Sequence, residues 1–313
     1  MELLRGLASL RTQSTSCVAT IGAFDGVHLG HQAVLRQLQE QAVLLGEETT
    51  VITFEPLPRE YLARSKAPAR IQSFREKCEV LRELGVGRLL CLRFTETLRQ
   101  MTAEAFAQQI FVDGLGVRAL ILGDDFRFGR DREGDIEFVR AVGRREGFET
   151  LDTDTWEVDG ERVSSTGVRA ALGAGDFARA ERLLGRPYTI SGRVTHGQQL
   201  GRQIGVPTAN IALRRRTLPV AGVFLARVSG GGLADAPAIA NVGTRPTVND
   251  GEKPNLEVHV LDGEHALYGH RLTVSFTQKL RDEQRFDSFE ALKEQIYTDV
   301  DSARQAFAAG QQD

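Results

Sequence analysis

Between residues 17 and 146, apolar runs of strand length alternate with longer segments that have helical character, and few folds accommodate that order. Cys17-Val18-Ala19-Thr20-Ile21-Gly22-Ala23 reads as a buried strand. A helix follows from about Gly30 to Leu45, carrying apolar Val34, Leu35, Leu38, Val43 and Leu45. The unit then recurs as strand 49–54, helix 73–84, strand 88–92, helix 102–113, strand 117–123 and helix 135–146. Strands joined through helices cross over and run parallel, and a parallel sheet needs cover on both faces. The expected N-terminal architecture is therefore α/β and Rossmann-like.

After Leu151 the alternation fades. Ser164-Ser165-Thr166 opens a helix that ends near Gly173, and Asp176 starts another, both with N-cap chemistry. From Tyr188 the texture changes to short β-rich runs at 188–195, 222–229, 237–242, 255–261 and 271–278, separated by Gly, Pro, Asn and Asp. Such spacing predicts an antiparallel barrel or sandwich. Phe289, Leu292, Ile296, Val300 and Ala303 repeat at helical spacing, so a terminal helix over 288–307 should pack on it. Gly185 and Pro187 interrupt the chain between the two textures, which puts the expected domains at 1–185 and 186–313.

Bulk properties narrow the class. With 41% hydrophobic and 26% charged residues in 313, the chain can build two ordinary cores and is not a disordered polymer. A formal net charge of -3 lacks the positive field of a nucleic-acid binder, so no nucleic-acid partner is expected. Cys17, Cys78 and Cys91 are odd in number and flanked by apolar residues, as suits reduced thiols in a cytoplasmic protein. No signal-like start and no run of about 18 apolar residues is present, so neither export nor a membrane partner is expected. Nothing in the sequence sets the oligomeric state.

Chemistry concentrates first in Gly22-Ala23-Phe24-Asp25-Gly26-Val27-His28-Leu29-Gly30-His31. A buried strand runs there into a glycine-punctuated turn and a helix, the place where α/β sheets bind ligands. Gly22, Gly26 and Gly30 would let the backbone turn sharply and approach a ligand, and the helix start offers N–H groups to phosphate. His28 and His31, three apart, would share one side and donate to phosphate oxygens. A turn with capping or solvated histidines would read the same. The segment is neither a G-x-G-x-x-G fingerprint nor a P-loop.

His28-Leu29-Gly30-His31 matches the H-x-G-H signature of the nucleotidyltransferase superfamily, and Val163-Ser164-Ser165-Thr166-Gly167-Val168-Arg169 matches its second hallmark, I-S-S-T-x-x-R. Helical spacing puts Ser165 or Thr166 on the same side as Arg169, at a helix start that favours an anion. With Phe54-Glu55-Pro56 and Gly123-Asp124-Asp125-Phe126-Arg127-Phe128-Gly129, the N-terminal half resembles the adenylyltransferase module of the prokaryotic bifunctional riboflavin kinase/FAD synthetase family. Leu57 departs from that pattern, where relatives commonly have His. The resemblance implies that Gly22, Phe24, Asp25, Gly26, Gly30, Asp125, Ser165 and Thr166 contact nucleotide or flavin, and that His28, His31 and Arg169 are catalytic. Phe24, Phe54, Phe126 and Phe128 could offer apolar surface to an isoalloxazine ring, though aromatics beside strands are mostly core.

Residues 196–211, His-Gly-Gln-Gln-Leu-Gly-Arg-Gln-Ile-Gly-Val-Pro-Thr-Ala-Asn-Ile, carry the second candidate site. In an extended segment Thr208 and Asn210 point to one side, and such hard oxygen donors suit Mg²⁺, although a polar β-turn would look alike. Leu256-Glu257-Val258-His259-Val260 alternates strictly, so Glu257 and His259 share a face. Together with Asn241-Val242-Gly243-Thr244-Arg245-Pro246-Thr247, Leu267-Tyr268-Gly269 and Leu280-Arg281-Asp282-Glu283, these strings resemble the riboflavin kinase module of the same family. The resemblance implies an antiparallel barrel of riboflavin kinase type. It further implies Mg²⁺ held through Thr208 and Asn210, nucleotide or flavin contacts from Gly197, Gly201, Arg202, Pro207 and Arg281, and Glu257 as general base.

The implied function is phosphorylation of riboflavin to FMN and adenylylation of FMN to FAD, with ATP as co-substrate and riboflavin, FMN and ATP as the partners. Rival readings are a chain in which one module works and the other is a flavin-binding scaffold, and a non-catalytic flavin or nucleotide sensor. Two complete sets of phosphate-handling residues weigh against a sensor, which needs only binding.

Overall fold

A computed structural model describes residues 1–12, 16–63, 66–123, 126–153, 155–197, 201, 204–247 and 251–309. Two compact units divide the chain: Met1–Pro68 with Phe74–Ser165, and Ala69–Ser73 with Thr166–Asp313.

The first unit is built on a six-stranded parallel sheet of β1 (Glu2–Arg5), β2 (Cys17–Ile21), β3 (Glu48–Glu55), β4 (Arg88–Arg93), β5 (Val117–Gly123) and β6 (Glu149–Thr153), in the order β1-β4-β3-β2-β5-β6. All of β2 is buried, and its residues alternate between two cores. Cys17, Ala19 and Ile21 pack with Phe106, Ile110 and Phe111; Val18 packs with Leu35, Leu38 and Leu81. Helices α1 (Leu29–Leu45) and α3 (Phe74–Glu83) cover one face, after the short α2 (Pro58–Ala63). The other face is covered by α6 (Ile136–Glu146) and by the segment after the short α4 (Glu96–Arg99), where α5 (Ala103–Phe106) continues as a π-helical turn over Ala107–Val112. The doubly wound parallel sheet expected from the sequence is present. β1 and β6 were not expected, because edge strands need no continuous apolar run and theirs are only partly buried. On α1 the buried residues are Leu35, Leu38 and Ala42. Val43 is 82% exposed and Leu45 is exposed too, so these two lie off the core stripe that helical spacing continues through Ala42.

A two-stranded hairpin, β7 (Glu157–Val158) and β8 (Glu161–Arg162), leads to α7 (Ser165–Ala174) and α8 (Phe177–Leu184), whose first turn is capped by Asp176. In the second unit β9 (Thr189–Thr195), β10 (Ala209–Ile211), β11 (Gly222–Gly230), β12 (Leu233–Thr247), β13 (Gly251–Val260) and β14 (Arg271–Arg281) close a barrel in the order β10-β13-β12-β11-β14-β9, paired antiparallel throughout. Inside it lie Phe224, Ala240, Leu256, Val258, Val274 and Phe276, and Phe177 of α8 packs edge-on against Phe224 at 5.5 Å. The terminal helix α9 (Phe289–Ala309) sets Val300 and Ala303 against Val223, Leu225 and Ile239 on the outer wall, as its apolar spacing predicts. β10 escapes sequence reading because it is three residues long inside a polar, glycine-rich stretch.

Candidate functional site

The parallel sheet reverses its order at β2, with β3 and β4 to one side and β5 and β6 to the other. The crevice beyond the carboxyl ends of β2 and β5 is the topological switch point, where sheets of this kind bind ligands. Residues 22–28 leave β2 there. Their backbone is strained: Phe24 has φ 46° and Val27 φ 40°, beside Gly26 at φ 90°. Left-handed backbone in a bulky or β-branched residue persists only where surrounding structure over-determines it. Here both side chains are buried, Phe24 at 2% exposure and Val27 at 0%. Three carbonyls of the loop are also held by side chains from elsewhere. Lys77 Nζ donates to Ala23 O (2.6 Å), Ser165 Oγ to Asp25 O (2.9 Å) and Gln32 Nε2 to Val27 O (3.0 Å).

His28 is buried and caps α1, its Nδ1 accepting the backbone N–H of His31 at 3.3 Å. In the neutral ring this places the proton on Nε2. The His28 and His31 rings stack at 3.6 Å, with Phe24 4.9 Å from His31. Gly30 gives His28 room, since a Cβ there would lie 3.2 Å from His28 Nδ1 and 3.4 Å from Val163 O. A Cβ on Gly22 would meet the Phe24 ring at 3.2 Å. These two glycines thus admit the protein's own side chains, and of the three only Gly26 supplies a positive φ. The four aromatics divide between the core and the surface. Phe24 packs among Val27, Leu35 and Leu38 and Phe128 among Phe106, Phe111 and Val139, each in a core of the sheet, whereas Phe54 and Phe126 are half-buried.

Of the second hallmark, Ser165 belongs to the first unit and contacts the loop through Asp25; Thr166 and Arg169 belong to the second. Arg169 Nε donates to Ala69 O at 2.7 Å within that unit. Asp125 and Arg202 lie outside the described residues.

In the barrel, β13 turns Leu256 and Val258 inward and Glu257 and His259 to the outer face. Its neighbours pair Asn210 of β10 and Asn241 of β12 directly with Glu257, so the three side chains form a row on that face. Thr208 Oγ1 lies 3.5 Å from Glu257 Oε2, and Asn255 Nδ2 donates to Oε1 at 2.9 Å. His259 Nδ1 donates to Pro207 O at 2.8 Å, and burial holds its imidazole below the usual pKa. A Cβ on Gly197 would fall 2.3 Å from the Asn210 amide, and one on Gly201 2.3 Å from Val206 O, so both glycines are places of close approach.

Between this face and α9 lies a cavity of about 350 Å³. Thr208, Asn241, Glu257 and His259 give it polar groups, and Val206, Ile239, Phe286, Ile296 and Val300 an apolar lining. A few convergent polar groups on an apolar lining suit an organic ring carrying a polar arm. Arg281 also borders it, but its donors are engaged: Nε and Nη2 bind the Asp299 carboxylate at 2.7–3.1 Å and Nη1 binds Asp282 O at 2.9 Å. The pair ties β14 to α9. Among the described residues no group of three His, Cys, Asp or Glu could hold a metal, so a cation here would rest on the neutral oxygens of Thr208 and Asn210 and on phosphate. A cation that keeps its waters and borrows phosphate oxygens fits such a donor set.

Residues 10–167 match the FAD synthetase family and residues 184–307 the riboflavin kinase family. The chain is 54% identical to the bifunctional riboflavin kinase/FMN adenylyltransferase of Pseudomonas fluorescens, covering 97% of each chain, and 47% identical to that of Escherichia coli K12, covering 98% of each. It belongs to the bifunctional riboflavin kinase/FMN adenylyltransferase family. As a member it phosphorylates riboflavin to FMN and adenylylates FMN to FAD, with ATP as co-substrate. Its fold also matches the crystal structure of a macrolide-efflux protein from Streptococcus pneumoniae (TM-score 0.80, 28% identity, 97% of this chain and 99% of that one).

For a bifunctional riboflavin kinase/FMN adenylyltransferase, several supporting residues went unseen in the sequence. Lys77 is 2% exposed beneath the first loop, donating to Ala23 O and, at 3.3 Å, to Thr53 Oγ1. Its signal was a lysine on the same stripe of α3 as Leu81, four residues on. Asn255 stands two before Glu257 and therefore on its face. Asp299 lies buried beside the apolar stripe of α9, next to Val300, and a buried carboxylate needs a partner.

Proposed function

We propose that residues 1–185 form the adenylyltransferase and 186–313 the kinase, and that each reaction uses the residues gathered above. In the kinase, Glu257 accepts the proton of the riboflavin 5′-hydroxyl as that oxygen attacks the γ-phosphorus of ATP, and ADP leaves. Thr208 and Asn210 would hold Mg²⁺, which would neutralise charge on the ATP phosphates. Gly197, Gly201, Arg202 and Pro207 frame the nucleotide, and Arg281 acts by fixing α9 over the cavity. In the adenylyltransferase, an FMN phosphate oxygen attacks the α-phosphorus of a second ATP and pyrophosphate leaves. A phosphate nucleophile is already ionised, so alignment and charge stabilisation dominate. His28 through Nε2 and His31 provide them, with Gly22, Asp25, Gly26, Gly30 and Ser165 shaping the ATP site. Three cysteines that remain thiols accord with a cytoplasmic location.

The observation that carries this reading is that motifs distant in sequence meet inside one unit: Ser165 on Asp25 in the first, and Asn210 opposite Glu257 in the second. The experiment is to incubate the enzyme with riboflavin and ATP, with Mg²⁺ or with EDTA, and separate the flavins by chromatography. FMN and then FAD should form with Mg²⁺ and neither with EDTA, and Asn210→Ala should raise the Mg²⁺ needed for FMN formation alone. Undiminished turnover in EDTA, or an Asn210→Ala variant with the wild-type Mg²⁺ requirement, would overturn the metal assignment.

A further inference from the structure

Of the three side chains that grip the loop after β2, Gln32 lies on α1 and Ser165 opens α7, both within the motifs that mark the site. Lys77 reaches it from α3, outside those motifs. Its ammonium donates to Ala23 O at 2.6 Å and to Thr53 Oγ1 at 3.3 Å, and the Thr53 hydroxyl in turn donates to the same carbonyl at 3.3 Å. One carbonyl of the loop is therefore held from α3 and from β3 together.

Both side chains are buried, Lys77 at 2% exposure and Thr53 at 0%. The buried face of α3 also carries Cys78 and Leu81, which belong to the core that holds Val18, Phe24 and Val27. An apolar side chain would fill such a place readily, whereas an ammonium is costly there unless it is hydrogen-bonded. Thr53 poses the same choice, since valine has nearly its shape. What the two polar groups share is the bond to Ala23 O. That carbonyl belongs to the peptide entering Phe24, whose φ of 46° is disfavoured for a bulky residue. A peptide is planar, so fixing its oxygen fixes its N–H as well, and with it the plane from which the turn to His28 departs.

We propose that Lys77 is a positioning residue for FMN adenylylation: with Thr53 it holds the Ala23–Phe24 peptide in the orientation that sets the turn from Asp25 to His31 for the phosphates of ATP. The inference rests on residues 22–31 being the adenylylation site. Lys77 acts through the backbone of that turn. Reacting groups misplaced by about an ångström can lose about a hundredfold in rate, so removal of the donor shows in kcat even where the fold persists. A merely structural residue would change the melting temperature and leave kcat of the folded enzyme where it is.

The test measures kcat and KM for adenylylation of supplied FMN in the full chain, with riboflavin phosphorylation by the same preparation as control and the folded state checked by circular dichroism. Lys77→Met keeps the length of the stem and removes the donor. It should lower the adenylylation kcat about a hundredfold, with the FMN KM near wild type and the kinase unchanged. Thr53→Val should lower kcat about tenfold, and Thr53→Ser, which restores the hydroxyl, should return it to within about twofold of wild type. A folded Lys77→Met with wild-type kcat would overturn the proposal. If Lys77→Met does not fold, the Thr53 pair decides: equal kcat in Thr53→Val and Thr53→Ser would overturn it, because the hydroxyl then carries nothing. His31→Ala run in parallel separates the two ideas. If it keeps adenylylation, the assignment of the site falls; if it is inactive while Lys77→Met and Thr53→Val keep the wild-type kcat, only the role of Lys77 falls.

Discussion

The first unit holds its glycine-rich loop in strained backbone, with positive φ at Phe24 and Val27 and three carbonyls gripped by Lys77, Ser165 and Gln32. The second unit presents Asn210, Glu257 and Asn241 from three regular strands, where pairing register alone lines them up. One candidate site is thus specified by backbone conformation and the other by side-chain identity on an ordinary pleat. The first should be sensitive to glycines and caps, the second to the chemistry of single side chains. Either should also be lost with the other left intact.

The largest effect is expected at Glu257. Glu257→Gln should reduce riboflavin phosphorylation about a thousandfold, the scale of a lost general base, and leave FAD formation from supplied FMN at wild-type rate. Next comes His28, whose ring does two jobs that substitution can split. Asn is a good N-cap, so His28→Asn should keep the melting temperature while FAD formation falls about a hundredfold; His28→Ala should also lose about 1 kcal/mol of stability by denaturant titration. If His28→Asn makes FAD normally, the ring is only a cap and the loop loses its catalytic reading. In the barrel, Asp299→Asn leaves Arg281 without its carboxylate, and urea unfolding of the second unit should show a loss of about 3 kcal/mol. FMN adenylylation should survive at temperatures where the native barrel persists. The smallest effect is Gly30→Ala, which crowds His28 Nδ1 at 3.2 Å and should cost about 1 kcal/mol, with FAD formation reduced severalfold and the kinase untouched.

The same contrast explains what could be read from the sequence. The parallel sheet was legible because its central strands are continuous apolar runs, and the first loop because glycines and paired histidines after a buried strand are unusual. Glu257 was legible only as one member of an alternating strand; the row it forms with Asn210 and Asn241 depends on register set by residues far apart in the chain. The cap role of His28, the burial of Lys77 and the engagement of Arg281 by Asp299 all depend on tertiary partners that local spacing does not encode. Val43 and Leu45 are apolar yet exposed, because the buried stripe of α1 continues from Leu38 through Ala42. Edge strands β1 and β6 have too little buried surface to leave a pattern.

The central claim is that two separable sites in one chain act in series. It is tested most directly by mixing purified Glu257→Gln with purified His31→Ala in riboflavin, ATP and Mg²⁺ and following FAD by chromatography. Each variant alone should make none from riboflavin, the first stopping at riboflavin and the second at FMN, and the mixture should make FAD because FMN from one is consumed by the other. A mixture that makes no FAD, or either variant losing both reactions, would contradict it.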